Sequence, residues 1–204
     1  MSMTYEQTGR TGQKRRTRTD LVSAARTLMA RGVTSPTVEE AAAEASVSRT
    51  TAYRYFPNQK ALLVAAHPEI DTRSLLPPGA GSDPEERLLA VVDAFTKMVI
   101  GTEPQHRTML RLSLETDTAA RDLPLRKGRA IGWFEDALAP LLPEVGKAAV
   151  HQLAVAVRSA VGIESLVWLT DIAGLSRDQA SEVMRWSAQA MLAHALSDGL
   201  YDAR

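Results

Sequence analysis

Helix start signals recur along this 204-residue chain, and they constrain its fold more than any other feature. Four sites place Glu or Gln three residues after a hydroxyl residue, which is the pattern of a helix capping box. Between these sites apolar residues recur at spacings of three and four, and no convincing strand alternation is present. We therefore predict an all-α chain of about nine helices. The four hydroxyl residues are Thr37, Ser82, Thr102 and Ser176.

The composition is that of a globular protein, with 45% hydrophobic and 24% charged residues. The polar N-terminus is not followed by an apolar segment resembling a signal peptide, and we expect no membrane-spanning run of roughly 18 apolar residues. The absence of cysteine excludes disulfides, thiolate metal sites and cysteine nucleophiles, and it is compatible with a reducing compartment. These features predict a soluble, cytoplasmic protein.

Enzyme signatures are missing from the sequence. Its four histidines are isolated, and it has no Gly-rich phosphate loop, no HExxH motif and no nucleophile elbow. We therefore expect no catalytic residues, no metal and no cofactor, and an enzyme is kept only as a remote alternative.

Charge divides the chain. Residues 1–60 hold ten Lys and Arg against five Asp and Glu, whereas residues 61–204 hold 14 against 19. A basic end favours an anionic partner such as nucleic acid.

A loop rich in Pro, Gly and Ser, "DTRSLLPPGAGSD", separates the two parts. We predict a flexible basic arm at 1–14, a helix-turn-helix domain at 15–68, a linker at 69–83 and a larger C-terminal helical domain at 84–204.

The arm and its neighbourhood carry several cations. Their charge makes Arg15, Arg16 and Arg18 candidates for contacts with an anionic partner, such as the phosphates of a nucleic acid. The alternative is a mobile, solvated tail.

The segment "SVSRTTAYRYF", residues 46–56, predicts a surface that contacts DNA. A helix capped by Thr37 would turn at "SVS" into a second helix capped by Ser48. At about 100° per residue, Ala52 and Phe56 share one side of that helix, and the Arg, Thr and Tyr residues lie on the other faces. Arg can bind a guanine edge, Thr a base edge, and Tyr a phosphate oxygen.

Residues 15–66 resemble the DNA-binding region of the tetracycline-repressor (TetR) family. The resemblance rests on "TVEEAAAEASVSRTTAYRYFPNQKALLVAA" and on the preceding "RTDLVSAARTLMARG", in which Ala24, Ala25 and Leu28 are the inward positions and Gly32 ends the helix. Two departures stand out. Ser46 replaces the usual turn glycine, which questions the turn geometry, and Gln59-Lys60 replaces the usual Lys-acid pair, which moves the phosphate-binding lysine to Lys60.

The resemblance assigns roles to the matching residues. Arg49, Thr50 and Thr51 are the candidates for base contacts, Tyr53 and Tyr55 for the sugar-phosphate backbone, and Thr37 and Lys60 for phosphates at helix starts. For Arg49 the alternative is a surface ion pair with Glu44 or Glu40, and Tyr53 also suits a half-buried position. The complete candidate set for DNA is Thr37, Ser48, Arg49, Thr50, Thr51, Tyr53, Arg54, Tyr55 and Lys60.

Two C-terminal segments predict a homodimer, because a single helix-turn-helix contacts too few base pairs for useful specificity. Between Ala148 and Leu169 the only formal charges are Arg158 and Glu164, so this helix should be buried on more than one side. We place the interface in helices near 146–170 and 177–198, where Val183, Ser187, Ala190, Met191 and His194 form a stripe. The alternative is that both helices only complete the core of one subunit.

The resemblance also implies that the C-terminal domain binds a small molecule that releases the protein from a palindromic operator. Apolar and polar candidates for this pocket are Phe95, Met98, His106, Arg107, Met109, Trp133, His151 and Trp168. A DNA-binding dimer controlled by a protein partner, or by no effector, remains the alternative. The sequence leaves the effector, the operator and the choice between repressor and activator open.

Overall fold

The computed structural model describes residues 4–67, 72–114 and 128–197, and for residues 4–11 and Arg129 it describes the backbone alone. Within those ranges the chain is helical and has no strand, which confirms the predicted all-α class. The described residues form two compact units. The first contains residues 4–67 and 107–114, and the second contains residues 72–106 and 128–197.

The first unit is built from one long and three short helices around a core of small and medium apolar side chains. Alanines at the contacts of α2 and α3 allow close packing, and Phe56 fills the remaining volume with 2% of its surface exposed. The helices are α1 (Thr4–Ala30), α2 (Val38–Glu44), α3 (Arg49–Tyr55) and α4 (Gln59–Ala66).

Helix α1 runs through most of the segment that we expected to be a flexible arm, because it begins at Thr4; residues 1–3 lie outside the described part. Near the end of this segment the hydroxyl of Thr17 donates to the carbonyl of Gln13 at 3.1 Å, one helical turn earlier. The predicted stop is confirmed, since Gly32 has a φ of 95° directly after the helix. Ala24 and Ala25 are buried as predicted, while Leu28 is only half-buried.

The turn between α2 and α3 keeps its geometry without glycine. Ser46 has a φ of 54°, in the left-handed region. The backbone N–H of Val47 donates to Ala42 at 2.8 Å, and that of Ser46 donates to Ala43 at 3.1 Å. These two bonds form a Schellman motif, in which the left-handed residue is usually glycine. Serine in place of glycine at position 46 therefore adds backbone strain to the turn but leaves the course of the backbone unchanged.

The second unit consists of longer helices around an aromatic centre. Phe95 is fully buried and meets Trp133 and Phe134 edge to face, with ring centroids 5.9 and 5.8 Å apart. The helices are α5 (Pro84–Gly101), α6 (Glu103–Leu114), α7 (Arg129–Ala137), α8 (Leu142–Ala160), α9 (Ile163–Val167) and α10 (Arg177–Ser197). Of these, α6 belongs to the second unit only up to His106.

Two of the four capping boxes form as predicted. Thr37 and Ser176 each exchange both bonds with the residue three positions later. At the start of α5 the predicted cap is wrong: the side chain of Asp83, and not Ser82, accepts the first free N–H. Thr102 was also predicted wrongly, because its hydroxyl donates to the carbonyl of the preceding turn, at Met98. A carboxylate beside Pro84 and a closer carbonyl acceptor explain the two differences.

The described part of the expected linker makes contacts with the second unit; residues 69–71 lie outside the described part. From residue 72 the segment groups with the second unit, where the hydroxyl of Ser74 donates to Asp136 at 2.9 Å. Arg87 also donates to the carbonyl of Gly81 at 3.1 Å. The described part of the segment is therefore fastened to α5 and α7.

One apolar stretch is longer than the sequence analysis expected. Residues Ala139–Ile172 are long and apolar enough to cross a membrane by length and composition. An apolar window of 18 residues within them is, however, 44% buried inside the protein. The stretch is not one continuous helix, because Gly146 has a φ of 78° and Gly162 a φ of 129°. A spanning helix needs about 20 continuous residues, so we assign these helices to the core of the second unit.

Candidate DNA interface

Helix α3 is fixed at both ends and on one side. The side chain of Ser48 caps it and accepts from the backbone N–H of Thr51 at 3.2 Å. Ala52 is fully buried and Phe56 nearly so, as the helical spacing predicted. The remaining faces of this short helix are thus held in a defined orientation toward solvent.

The outward face of α3 carries the side chains that the sequence analysis placed there. Arg49, Thr50, Tyr53 and Arg54 are exposed, whereas Thr51 is half-buried and its hydroxyl accepts from that of Ser48 at 2.9 Å. Tyr55 is also half-buried and packs against the core. The guanidinium of Arg54 lies 5.8 Å from the Tyr55 ring. Arg49, Thr50, Tyr53 and Arg54 therefore form the outward set, and Tyr55 serves partly as core.

The two residues predicted at neighbouring helix starts have different surroundings. The hydroxyl of Thr37 accepts from the N–H of Glu40 at 3.1 Å and donates to its carboxylate at 2.9 Å. Lys60 is half-buried in the first turn of α4, which Asn58 caps. Gln59 donates to the carbonyl of Ser35 at 2.6 Å and so ties this turn to the loop before α2.

Glu39 is the residue of this surface that the sequence analysis missed. Its Oε1 accepts from the hydroxyl of Tyr53 at 2.6 Å and from Nη2 of Arg49 at 2.9 Å. The ion pair anticipated for Arg49 therefore exists, but with Glu39, since Glu44 pairs with Arg31 at 3.1 Å. Glu39 meets Arg49 and Tyr53 only because α2 packs against α3. Glu39 is 10 and 14 positions away from them in the chain, so no helical periodicity in the sequence connects the three.

The contact changes the proton affinities of both partners. The hydrogen bond from Tyr53, a backbone hydrogen bond and the Arg49 guanidinium together lower the pKa of Glu39 below its ordinary value. The same bond raises the pKa of Tyr53 above its ordinary value, because the hydroxyl donates to a carboxylate. At neutral pH the glutamate is therefore ionised and the tyrosine is neutral.

The three arginines that directly follow the predicted arm lie on α1. Arg15, Arg16 and Arg18 are exposed, and the guanidinium of Arg18 stands 5.3 Å from the centre of the Phe56 ring. This contact places Arg18 beside the residue that anchors α3.

The predicted dimer helices, and the π-helical turn Trp168–Ile172 at the end of the first of them, expose large apolar side chains. The exposed fraction is 58% for Trp168, 73% for Ile172 and 68% for Trp186. In α10 the core face consists of Ala180, Met184, Ala188 and Leu192, and Val183 of the predicted stripe is on the exposed side. Position 198 of that segment lies outside the described residues. Trp186 and Ile172 were not singled out from the sequence, because their exposure depends on which face of each helix packs inward.

The predicted ligand residues have different surroundings in the structure. Phe95 and Trp133 touch in the core of the second unit, Met98 is half-buried on α5, and His106 is buried and contacts Thr102 at 3.1 Å. Met109 packs in the core of the first unit instead.

The remaining ligand candidates lie at the surface or at the unit boundary. His151 is exposed and pairs with Glu135 at 2.6 Å, Trp168 is exposed, and Arg107 is the first residue of α6 that groups with the first unit. Helical spacing alone could not distinguish buried from exposed members of this set.

Comparison with known proteins agrees with the geometry of the first unit. Residues 21–66 match the family model described as "Bacterial regulatory proteins, tetR family", and these residues run from the buried part of α1 to the end of α4. A comparison with curated proteins gave no match. The matched residues include the capped helix α3 and its basic outward face. Residues 21–66 are thus similar to the DNA-binding domain of the tetR family, and this similarity supports a DNA-binding transcriptional regulator.

Proposed function

We propose that the protein is a repressor that binds a palindromic operator as a homodimer and leaves it when a small apolar molecule binds the second unit. The observation that carries this proposal is the outward set on α3, in which Arg49 and Arg54 stand beside Thr50 and Tyr53 over a buried anchor. Such a helix fits the major groove, where Arg reads guanine and Thr reads base edges or a thymine methyl. A regulator of this kind acts in the cytoplasm.

The homodimer is supported by the exposed apolar side chains of the second unit. Large exposed apolar groups on neighbouring elements are typical of protein interfaces, and α10, which carries Trp186, packs against the π-helical turn that carries Trp168 and Ile172. A twofold dimer would bury Trp186, Ile172 and Trp168 and would present two copies of α3 to two half-sites.

The dimer is tested with Trp186→Glu, because a twofold interface would receive two like charges at its apolar surface. We expect sedimentation to show a monomer that binds the palindrome weakly. Leu142→Glu is the matched control, since Leu142 is an exposed apolar residue that precedes the non-helical Gly146. A Trp186→Glu protein that keeps the parent mass would contradict this interface.

The ligand part of the proposal rests on the aromatic centre of the second unit. Phe95, Trp133 and Phe134 are packed against each other, so an apolar effector would have to enter by displacing or separating them. Release from DNA requires that the ligand prefer the arrangement that does not bind DNA. Control by a protein partner, or no effector, is the second candidate, and the closed packing of this centre favours it.

Selection of bound duplexes from a random pool is the decisive experiment for DNA binding. We expect a palindromic site whose affinity falls steeply with salt. Arg49→Ala should cost about 1–3 kcal/mol at one base pair of each half-site and leave the other positions unchanged. Recovery of no preferred sequence would refute sequence-specific binding. A thermal-shift screen of apolar molecules, repeated with operator present, then tests the effector, which should raise the melting temperature and release DNA.

A further inference from the structure

The carboxylate of Glu39 lies where a surface that binds a polyanion would be expected to carry none. Its side chain is 35% exposed and points to the face that carries Arg49 and Tyr53. Placed near phosphates it would weaken binding to any duplex, since like charges repel. The capping of α2 does not require it, because Glu40 supplies the capping box. The position of Glu39 therefore indicates that it acts through its two hydrogen-bond partners, Arg49 and Tyr53.

The contacts of Glu39 determine which hydrogen-bond donors remain for DNA. Arg49 uses Nη2 on Glu39, and a guanidinium has five N–H donors, so four remain for a guanine edge. Tyr53 has one hydroxyl proton and gives it to Glu39. Its oxygen can then accept a hydrogen bond but cannot donate one to a phosphate. This differs from the phosphate contact expected from the sequence.

The same contacts order a side chain that is otherwise mobile. Arg49 is 74% exposed at the side chain, and Arg loses considerable rotamer freedom when it is fixed. Arg49 and Tyr53 are one helical turn apart on α3, and a single oxygen of α2 accepts from both. The guanidinium is thus held in place before DNA arrives, which reduces the cost of ordering it on binding.

We propose that Glu39 is a positioning residue that sets base specificity: it holds Arg49 and Tyr53 away from phosphate capture, so that the free N–H donors of Arg49 read a guanine. The proposal rests on the DNA-binding function proposed above. A neutral residue at this position would hold both partners more weakly, since an uncharged oxygen is a weaker acceptor than a carboxylate. Arg49 and Tyr53 could then turn to phosphates, which strengthens binding to every sequence and weakens discrimination among sequences.

The test compares Glu39→Gln with the parent on the selected operator, on operators with one changed base pair, and on random duplex. Glutamine keeps the shape and removes the charge. We expect random DNA to bind more tightly, and discrimination at the base pair read by Arg49 to fall by roughly tenfold, within the range of one specific contact. Discrimination at the other positions should stay at the parent value, which a merely structural role for Glu39 would not produce.

Two further variants make the result specific. Glu44→Gln removes the same charge from α2 at a residue that pairs with Arg31, and it should leave discrimination unchanged. In an Arg49→Ala background, Glu39→Gln should not alter discrimination at that base pair. Melting temperatures near the parent value show that the variants are folded.

Two results overturn the proposal. One is unchanged discrimination in Glu39→Gln, and the other is a loss that persists without Arg49. Both leave DNA binding intact, whereas a parent protein that binds no duplex overturns the proposed function itself. The two failures are therefore distinguishable in the same experiment.

Discussion

Replacing Ser46 by glycine should stabilise the protein, because this residue holds the left-handed position of the Schellman motif that ends α2. A residue with a side chain costs about 1–2 kcal/mol in that conformation. Glycine avoids this cost but has more freedom in the unfolded chain, which removes about 0.4–1 kcal/mol of the gain. With a φ of 54° at Ser46, the net expectation is a gain of about 0.5–1 kcal/mol in the free energy of unfolding.

Thermal unfolding followed by circular dichroism measures this gain. For a chain of 150–250 residues, about 1 kcal/mol corresponds to roughly 2–4 °C, so we expect the melting temperature of Ser46→Gly to rise by roughly 1–4 °C. The control is Ser23→Gly, the same exchange at an exposed position of α1, where it should destabilise by about 0.5 kcal/mol. If both variants melt below the parent, the strain assigned to Ser46 is refuted.

Three other measurements follow from the structure. Lys60→Ala should weaken binding to all duplexes alike and reduce the slope of log affinity against log salt by about 1, as measured by titration at several salt concentrations. Phe95→Ala should lower the free energy of unfolding by about 3–5 kcal/mol in urea titrations, because the ring is fully buried. The pKa values of Glu39 and Glu40 are lowered in the folded protein, so their ionised forms stabilise the fold. This contribution is fully present above pH 4.5, the ordinary pKa of a glutamate, and is lost as the pH falls through the lowered pKa values. Urea midpoints of parent and Glu39→Gln should therefore converge in acid and differ at neutral pH.

The sequence was sufficient to predict the local structure around α3. Ser48, Ala52 and Phe56 are placed by one cap and by helical spacing, and both kinds of signal act over a few residues. The capping box at Thr37 was readable for the same reason. At Ser82 the prediction failed because the neighbouring aspartate competes for the same backbone N–H, and a spacing pattern does not rank two caps.

The sequence was not sufficient where a role depends on packing between helices. Glu39 reads as an ordinary acidic residue of an exposed first turn until α3 is placed against α2. Met109 has the same helical spacing as the aromatic residues of the second unit, yet it packs in the core of the first. Exposure of Trp168 and Trp186 is likewise decided by the packing of whole helices, which no local pattern records.

The assignment of part of α6 to the first unit limits how the protein can be divided for experiments. Met109 and Leu112 complete the core around α1 and α4, and the hydroxyl of Thr108 donates to the carbonyl of Thr34 at 3.2 Å. A fragment that stops after α4 would lack these groups and leave an open apolar surface. A shortened protein for studying the first unit therefore needs residues 107–114, joined to the end of α4 by a designed linker.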